Sequence, residues 1–110
     1  MTRDQLRKIE RDIAAARRRS NTHRDLKAIA TKLRRVRLKG AAVRGKEPAF
    51  VSTVFPKAHP ISIPDHGSRN LSPWVQRNVL NDLEGDVLRF EEKLRKEEQD
   101  DVQENGGYEN

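Results

Sequence analysis

Residues 59–83, HPISIPDHGSRNLSPWVQRNVLNDL, hold a strand, a polar turn and the start of a helix in one run. Ile61 and Ile63 alternate with Ser62 and Pro64, the pattern of a short half-buried strand. Asp65, His66 and Gly67 then make a turn. Ser72 followed by Pro73 opens a helix, because a Ser oxygen accepts from free backbone N–H groups and Pro is tolerated at the first helical position. This order sets His66 and Arg69 between the strand end and the helix start, where side chains face solvent. Imidazole titrates near neutral pH, so His66 is a candidate RNA contact or proton-transfer group. Its structural alternative is a turn histidine bonded to nearby backbone.

Working back toward the N-terminus, residues 2–19 read as a helix. Thr2 with Gln5 fits a capping box, and Leu6, Ile9, Ile13 and Ala16 form a narrow apolar stripe. Arg17, Arg18 and Arg19 close it, where cations suit the helix dipole. After the break at Ser20-Asn21-Thr22, a second helix over 23–33 carries Leu26, Ile29, Ala30 and Leu33 on its core face. Residues 34–39 alternate, with Val36 and Leu38 on one face and Arg35, Arg37 and Lys39 on a basic face. A loop over 40–45 leads to a strand over 49–55, and 61–63 is the third strand. Short connections favour an antiparallel meander. The predicted fold is α+β: a small three-stranded antiparallel sheet with helices on one face, in the α-β-β-β-α order of the double-stranded-RNA-binding domain.

Outward in the other direction, the last helix extends from Ser72 to about Glu98. Trp74, Val75 and Val79 are read as packing on the sheet. Leu80, Leu83, Val87, Phe90 and Leu94 then step by three and four, a heptad seam. Its natural partner is the stripe Leu6, Ile9, Ile13 and Ala16, in an antiparallel pairing made within one chain or between two. Arg7, Lys8 and Arg11 would then face Glu84, Glu91 and Glu92. Four segments result: a basic N-terminal helix (1–19), a core (22–83), a helix extension (84–98) and an acidic tail (99–110) expected to be disordered.

Composition narrows the function classes. The chain has 110 residues, 36% of them charged, and no cysteine, so it has neither a disulfide framework nor a thiolate metal site. His23, His59 and His66 lack close metal-ligand spacing, so no metal and no cofactor is expected. No apolar run approaches the roughly 18 residues of a membrane span. The N-terminus lacks the apolar core of a signal peptide, so a cytoplasmic setting is expected. Net charge splits sharply: residues 1–58 carry 17 Lys and Arg against 5 Asp and Glu, whereas residues 59–110 carry 6 against 12. A half this basic favours a polyanion, and nucleic acid is the commonest one. Arg35, Arg37 and Lys39 line a candidate phosphate track with Arg44 and Lys46, and Phe50 is the one aromatic read as free on the sheet. With so few stacking platforms, duplex RNA suits this surface better than an open single strand. DNA fits the same charges.

The run Ile63-Pro64, His66, Leu71 and Val79-Leu80 resembles the third strand and last helix of HicA-family toxins, whose pattern is I/V-P-x-H-x-x-x-x-L followed by an apolar pair in the helix. With the preceding helix and strands, the resemblance covers roughly residues 23–83. It implies a double-stranded-RNA-binding-domain-like fold, metal-independent cleavage of mRNA and neutralisation by an antitoxin protein. Lys39, Arg44, Lys46, His66 and Arg69 would hold phosphates. The family has a Gly-Ser-His run before the second strand, and that histidine is catalytic. Aligned on Gly45, this chain has Lys46 and Glu47 instead. Glutamate can act as a base but is not a cationic acid at neutral pH, so the family's catalytic role does not transfer to it. His66, with Glu47, is the remaining proton-transfer candidate. The alternatives are a non-catalytic nucleic-acid-binding module dimerising through its end helices, and a protein-interaction adaptor.

Overall fold

The computed structural model describes residues 1–39 and 47–107, with side chains through Asp100. Helices α1 (Arg3–Arg17) and α2 (His23–Lys32) are followed by strands β1 (Arg35–Arg37), β2 (Ala49–Ser52) and β3 (Ile61–Ser62), and then by α3 (Pro73–Gly107). The sheet is antiparallel in the order β1-β2-β3. This is the predicted α+β arrangement, with shorter strands than the alternation suggested.

The helix starts follow from their caps. Thr2 and Gln5 make a reciprocal capping box at α1, and Thr22 and Asp25 make one at α2. Ser72 Oγ accepts from the Val75 N–H at 3.3 Å at the head of α3. Between α2 and β1 the chain turns through Arg34, whose φ of +65° is the left-handed conformation that commonly ends a helix. The Arg34 carbonyl accepts from Thr53 N at 3.0 Å and Thr53 Oγ1 at 2.7 Å, which fixes this turn to the end of β2.

That turn sets which face of β1 looks inward, and it is the opposite of the expected one. Arg35 pairs with Ser52 and Arg37 with Phe50, while Phe50 pairs with Ile61. Paired residues share a face, so Arg35, Phe50 and Ile61 point toward the helices. Phe50 is buried in the core and is no stacking platform, whereas Val36 is half exposed on the open face. A shift of one residue exchanges the two faces of a strand, so all these assignments reverse together. Arg35 is only 3% exposed. Its Nε and Nη2 donate to Asp86 Oδ2 and Oδ1 at 2.6 and 2.9 Å, and its Nη1 donates to the carbonyls of Phe50 and His59. Arg89 Nη1 also donates to Asp86 Oδ1, at 2.8 Å. Arg35 is therefore a buried strut between β1 and the middle of α3, not a phosphate contact.

The seam closes within the chain. Leu6, Ile9, Ile13 and Ala16 of α1 and Leu83, Val87 and Phe90 of α3 are buried in the same core cluster, and Leu94 packs at its edge. Arg17 pairs with Glu84 and Arg3 with Glu98, so the helices run antiparallel. These pairs use Arg3 and Arg17 rather than Arg7, Lys8 and Arg11. The α3 helix continues past Glu98 to Gly107, through the stretch expected to be disordered. Glu, Lys, Arg and Gln are good helix formers, and Lys93 pairs with Glu97 one turn on.

One contact along this pairing opposes it. Glu10 lies against Glu91, and that hydrogen bond raises the Glu10 pKa above the ordinary carboxylate value. Partial burial and the charges of Glu91 and Glu84 add to the rise, and Arg7 opposes it. A raised carboxylate pKa means that this contact stabilises the fold at acid pH and loses that effect as pH rises through the folded-state value. Glu10→Gln, which keeps a donor toward Glu91, is expected to raise the urea midpoint modestly at pH 7 and to leave it unchanged near pH 4. Equal midpoints for the two proteins at pH 7 would contradict this.

Candidate nucleic-acid interface

The fold gathers its connections at one end. The last turn of α1, the first turn of α2, the end of β1, the start of β2, the turn after β3 and the head of α3 all meet there. Named contacts hold them together. Asn21, fully buried, donates from Nδ2 to the Ala16 and Arg19 carbonyls at 2.8 and 3.1 Å. Gln76 of α3 accepts from the Asn21 N–H through Oε1 at 2.9 Å, and its Nε2 donates to the Arg19 carbonyl at 2.6 Å. The Leu71 N–H donates to the Asn21 carbonyl at 2.8 Å. The end of α1 is thus tied to the turn before α3 and to its first residues.

His23 fixes the other side of that turn. It is 9% exposed, and its Nδ1 lies 2.9 Å from the Ile63 carbonyl, its Nε2 3.9 Å from Asp65 Oδ2. Its ring sits over Phe50, with centroids 5.9 Å apart. Sequence reasoning gave His23 no role, and its role here is to hold the exit of β3. Beyond it the Gly67 N–H donates to Asp65 Oδ1, with Gly67 at φ +67°, where a Cβ would be strained. The Arg69 N–H donates to the His66 carbonyl, and both side chains are exposed. The predicted placement of His66 and Arg69 in one solvent-facing turn is present.

Glu47 reaches the same end by a different path. The Ile63 N–H donates to the Pro48 carbonyl at 3.0 Å, so Glu47 enters β2 beside the point where the chain leaves β3. Among the described residues no hydrogen bond or ion pair joins Glu47 to His66. His59 is exposed and contributes its carbonyl to Arg35. Arg37 and Lys39 are exposed. Arg44 and Lys46 lie outside the described residues.

This end of the fold is strongly basic. Arg18, Arg19, Arg24, Lys39, Arg69 and Arg77 are exposed and make no ion pair among the described residues. The acids nearby include Asp25, whose carboxylate accepts from the Thr22 N–H, the exposed Glu47 and Asp65, and Asp12, which lines one groove with Arg19 and Arg24 and pairs with Lys32. Sequence reasoning missed Arg18, Arg19, Arg24 and Arg77 as one surface, since it assigned the Arg17–Arg19 run to the helix dipole. The available signal was topological: every helix and strand end bearing these residues falls on the same side of the fold.

Trp74 completes the pole and corrects another expectation. It does not pack on the sheet; it is 65% exposed, one residue inside α3. The acid-rich second half of α3 lies elsewhere. Glu98 is about 40 Å along α3 from Ser72 at roughly 1.5 Å per residue. A groove of about 550 Å³ also lies away from the pole, between Phe55 and the second half of α3. Its rim mixes Arg89, Lys93 and Lys96 with Glu92 and Glu97, so it presents no concentration of one charge. Among the described residues, no group of His, Asp and Glu side chains is arranged to hold a metal, and no helix is long and apolar enough to cross a membrane.

No protein-family model matches the chain, and neither a curated protein nor a solved structure is significantly similar to it.

Proposed function

We propose that this chain is an RNA-binding module whose basic pole grips the sugar–phosphate backbone. The observation that carries the reading is the convergence of exposed arginines without acidic partners at the end where six chain segments meet. Such contacts supply affinity and orientation, largely independent of sequence. The αβββα order and the resemblance of residues 63–80 to HicA toxins add RNA as the target class, with a cytoplasmic setting and an antitoxin-like protein partner.

The test is binding of a labelled RNA of about twenty nucleotides at several salt concentrations. Removing two phosphate contacts by Arg69→Ala with Arg77→Ala should weaken binding roughly 10- to 100-fold near physiological salt. It should also flatten the log–log salt dependence by roughly two units, about one per contact. Lys93→Ala with Arg95→Ala, on the far half of α3, serves as the control and should change affinity less than about twofold. Equal losses in both variants would mean diffuse charge attraction and would end the assignment of the pole.

A second reading is metal-independent cleavage of the bound RNA. It is favoured by the exposure of His66 in the same turn as Arg69 and by the arrival of Glu47 at the same sheet end. The same labelled RNA incubated in EDTA separates the two readings. Cleavage that stops in His66→Ala supports catalysis, and intact RNA with the wild-type protein leaves a binding module.

A further inference from the structure

Trp74 is a large apolar side chain left in solvent at the head of α3, on the end of the fold that carries the unpaired arginines. Its position is not an accident of loose packing, since the helix around it is anchored: Gln76 is bonded to Asn21, Arg19 and Ala16, and Val75 packs against the core. On one exposed face of α3, Trp74 is followed at three, four and seven residues by Arg77, Asn78 and Asn81, which helical spacing stacks in a row. Asn81 Oδ1 accepts from Arg17 Nη1 at 3.0 Å, so the row ends against the arginines of α1. Aromatic face, guanidinium and amide in sequence are the parts from which single-strand binding surfaces are built. The ring stacks on a base of any identity, and the arginines follow its phosphates.

We propose that Trp74 is a base-stacking subsite that gives this pole a preference for single-stranded RNA over a blunt duplex. The inference rests on the basic-pole reading and deepens it. A base inside a duplex has both faces covered by its neighbours, so a blunt duplex offers the indole only its two end pairs, whereas every base of a single strand can lie on it. Charge complementarity selects this occupant. Arg77 on the same helix face and Arg69 in the turn before the helix, neither of them ion-paired among the described residues, suit a polyanion, whereas an apolar protein partner would have to desolvate them.

Trp74 is the only tryptophan of the chain, so its fluorescence reports on this site alone. The experiment titrates the full-length protein with a single-stranded RNA of about twelve nucleotides, with the blunt duplex of the same sequence, and with the matching single-stranded DNA. The single-stranded RNA is expected to quench the emission and to shield it from acrylamide, and the duplex, with only its two end pairs to offer, to do both several-fold more weakly at equal nucleotide concentration. By anisotropy, Trp74→Ala should weaken single-strand binding about tenfold and duplex binding less than twofold. Trp74→Phe should restore most of the loss. Because the side chain is exposed, these variants should keep the wild-type melting temperature, which is checked alongside. Matching quenching by single-stranded DNA would uphold the stacking subsite, which reads no sugar, and overturn RNA as the particular target of the pole. Tight binding with unchanged Trp74 emission, or unchanged affinity in Trp74→Ala, would overturn the subsite and leave the basic pole standing. Absence of binding to every nucleic acid would overturn both.

Discussion

Asp86→Ala is expected to cost roughly 3–5 kcal/mol of folding free energy, a large share of the 5–15 kcal/mol typical of a domain. The carboxylate is fully buried and accepts from two arginines, Arg35 and Arg89. Removing it leaves the Arg35 guanidinium in the core with two donors facing nothing and a charge without a counter-charge. Arg89 is less affected, because it is partly exposed and can turn to water. The ion pair itself need not be a net gain, since desolvating two charges offsets most of their attraction. The paired replacement Arg35→Met with Asp86→Leu is therefore expected to recover most of the loss. Urea denaturation of the two single variants and the double variant would measure the coupling. If Asp86→Ala unfolds within about 1 kcal/mol of wild type, Arg35 is escaping to solvent and does not hold β1 to α3. Arg35 also fixes the sheet relative to α3, so a loosened strut should weaken the proposed RNA binding even though neither buried residue can touch the ligand.

The elements were legible because their signals are local. Thr2 with Gln5, Thr22, and Ser72 before Pro73 mark three helix starts that the structure contains. The stripes Leu6–Ala16 and Leu83–Phe90 identified both halves of the α1–α3 pairing. The faces of the sheet were not legible, because β1 and β2 carry plausible core residues on both sides. Hydrophobicity alone turns Val36 inward and Arg35 outward. The decision belongs to Asp86, 51 residues away, which makes a buried arginine tolerable, and to the left-handed turn at Arg34. One sign was present in the sequence: Asp86 sits beside Val87 and three residues after Leu83, on the inward face of the last helix, where an acid needs a partner. Trp74 was misread for a different reason. Size suggests burial, but Trp74 precedes Leu83 by nine residues, which at about 100° per residue is the opposite side of the helix. The site was legible at His66 and Arg69, which one turn supplies. It was not legible where four other segments supply it, because their common end is a property of the topology.

Ile13→Asp is expected to unfold the chain rather than to divide an assembly. Ile13 is 1% exposed and belongs to the core that α1 and α3 share. Truncation to Ala at such a position costs roughly 2–5 kcal/mol. A carboxylate there has neither water nor a counter-charge and should cost more, on the scale of the whole stability. The alternative geometry, with the seam made between two chains, predicts a different outcome. A charge at an intermolecular seam splits the dimer, halves the sedimenting mass and leaves each core folded with its helical signal intact. The in-chain seam predicts loss of helical circular dichroism and of cooperative melting, with Ile13→Ala shifted but still cooperative. Halved mass with retained helicity would move the α1–α3 pairing to between chains. The prediction also bears on the pole. Arg17 ends α1 and Arg18 and Arg19 follow it directly, and Asn21 and Gln76 hold that exit only while the stripe above it is buried. If the pole binds RNA as proposed, that binding should be lost together with the helix in Ile13→Asp and should survive in Ile13→Ala below its lowered melting temperature.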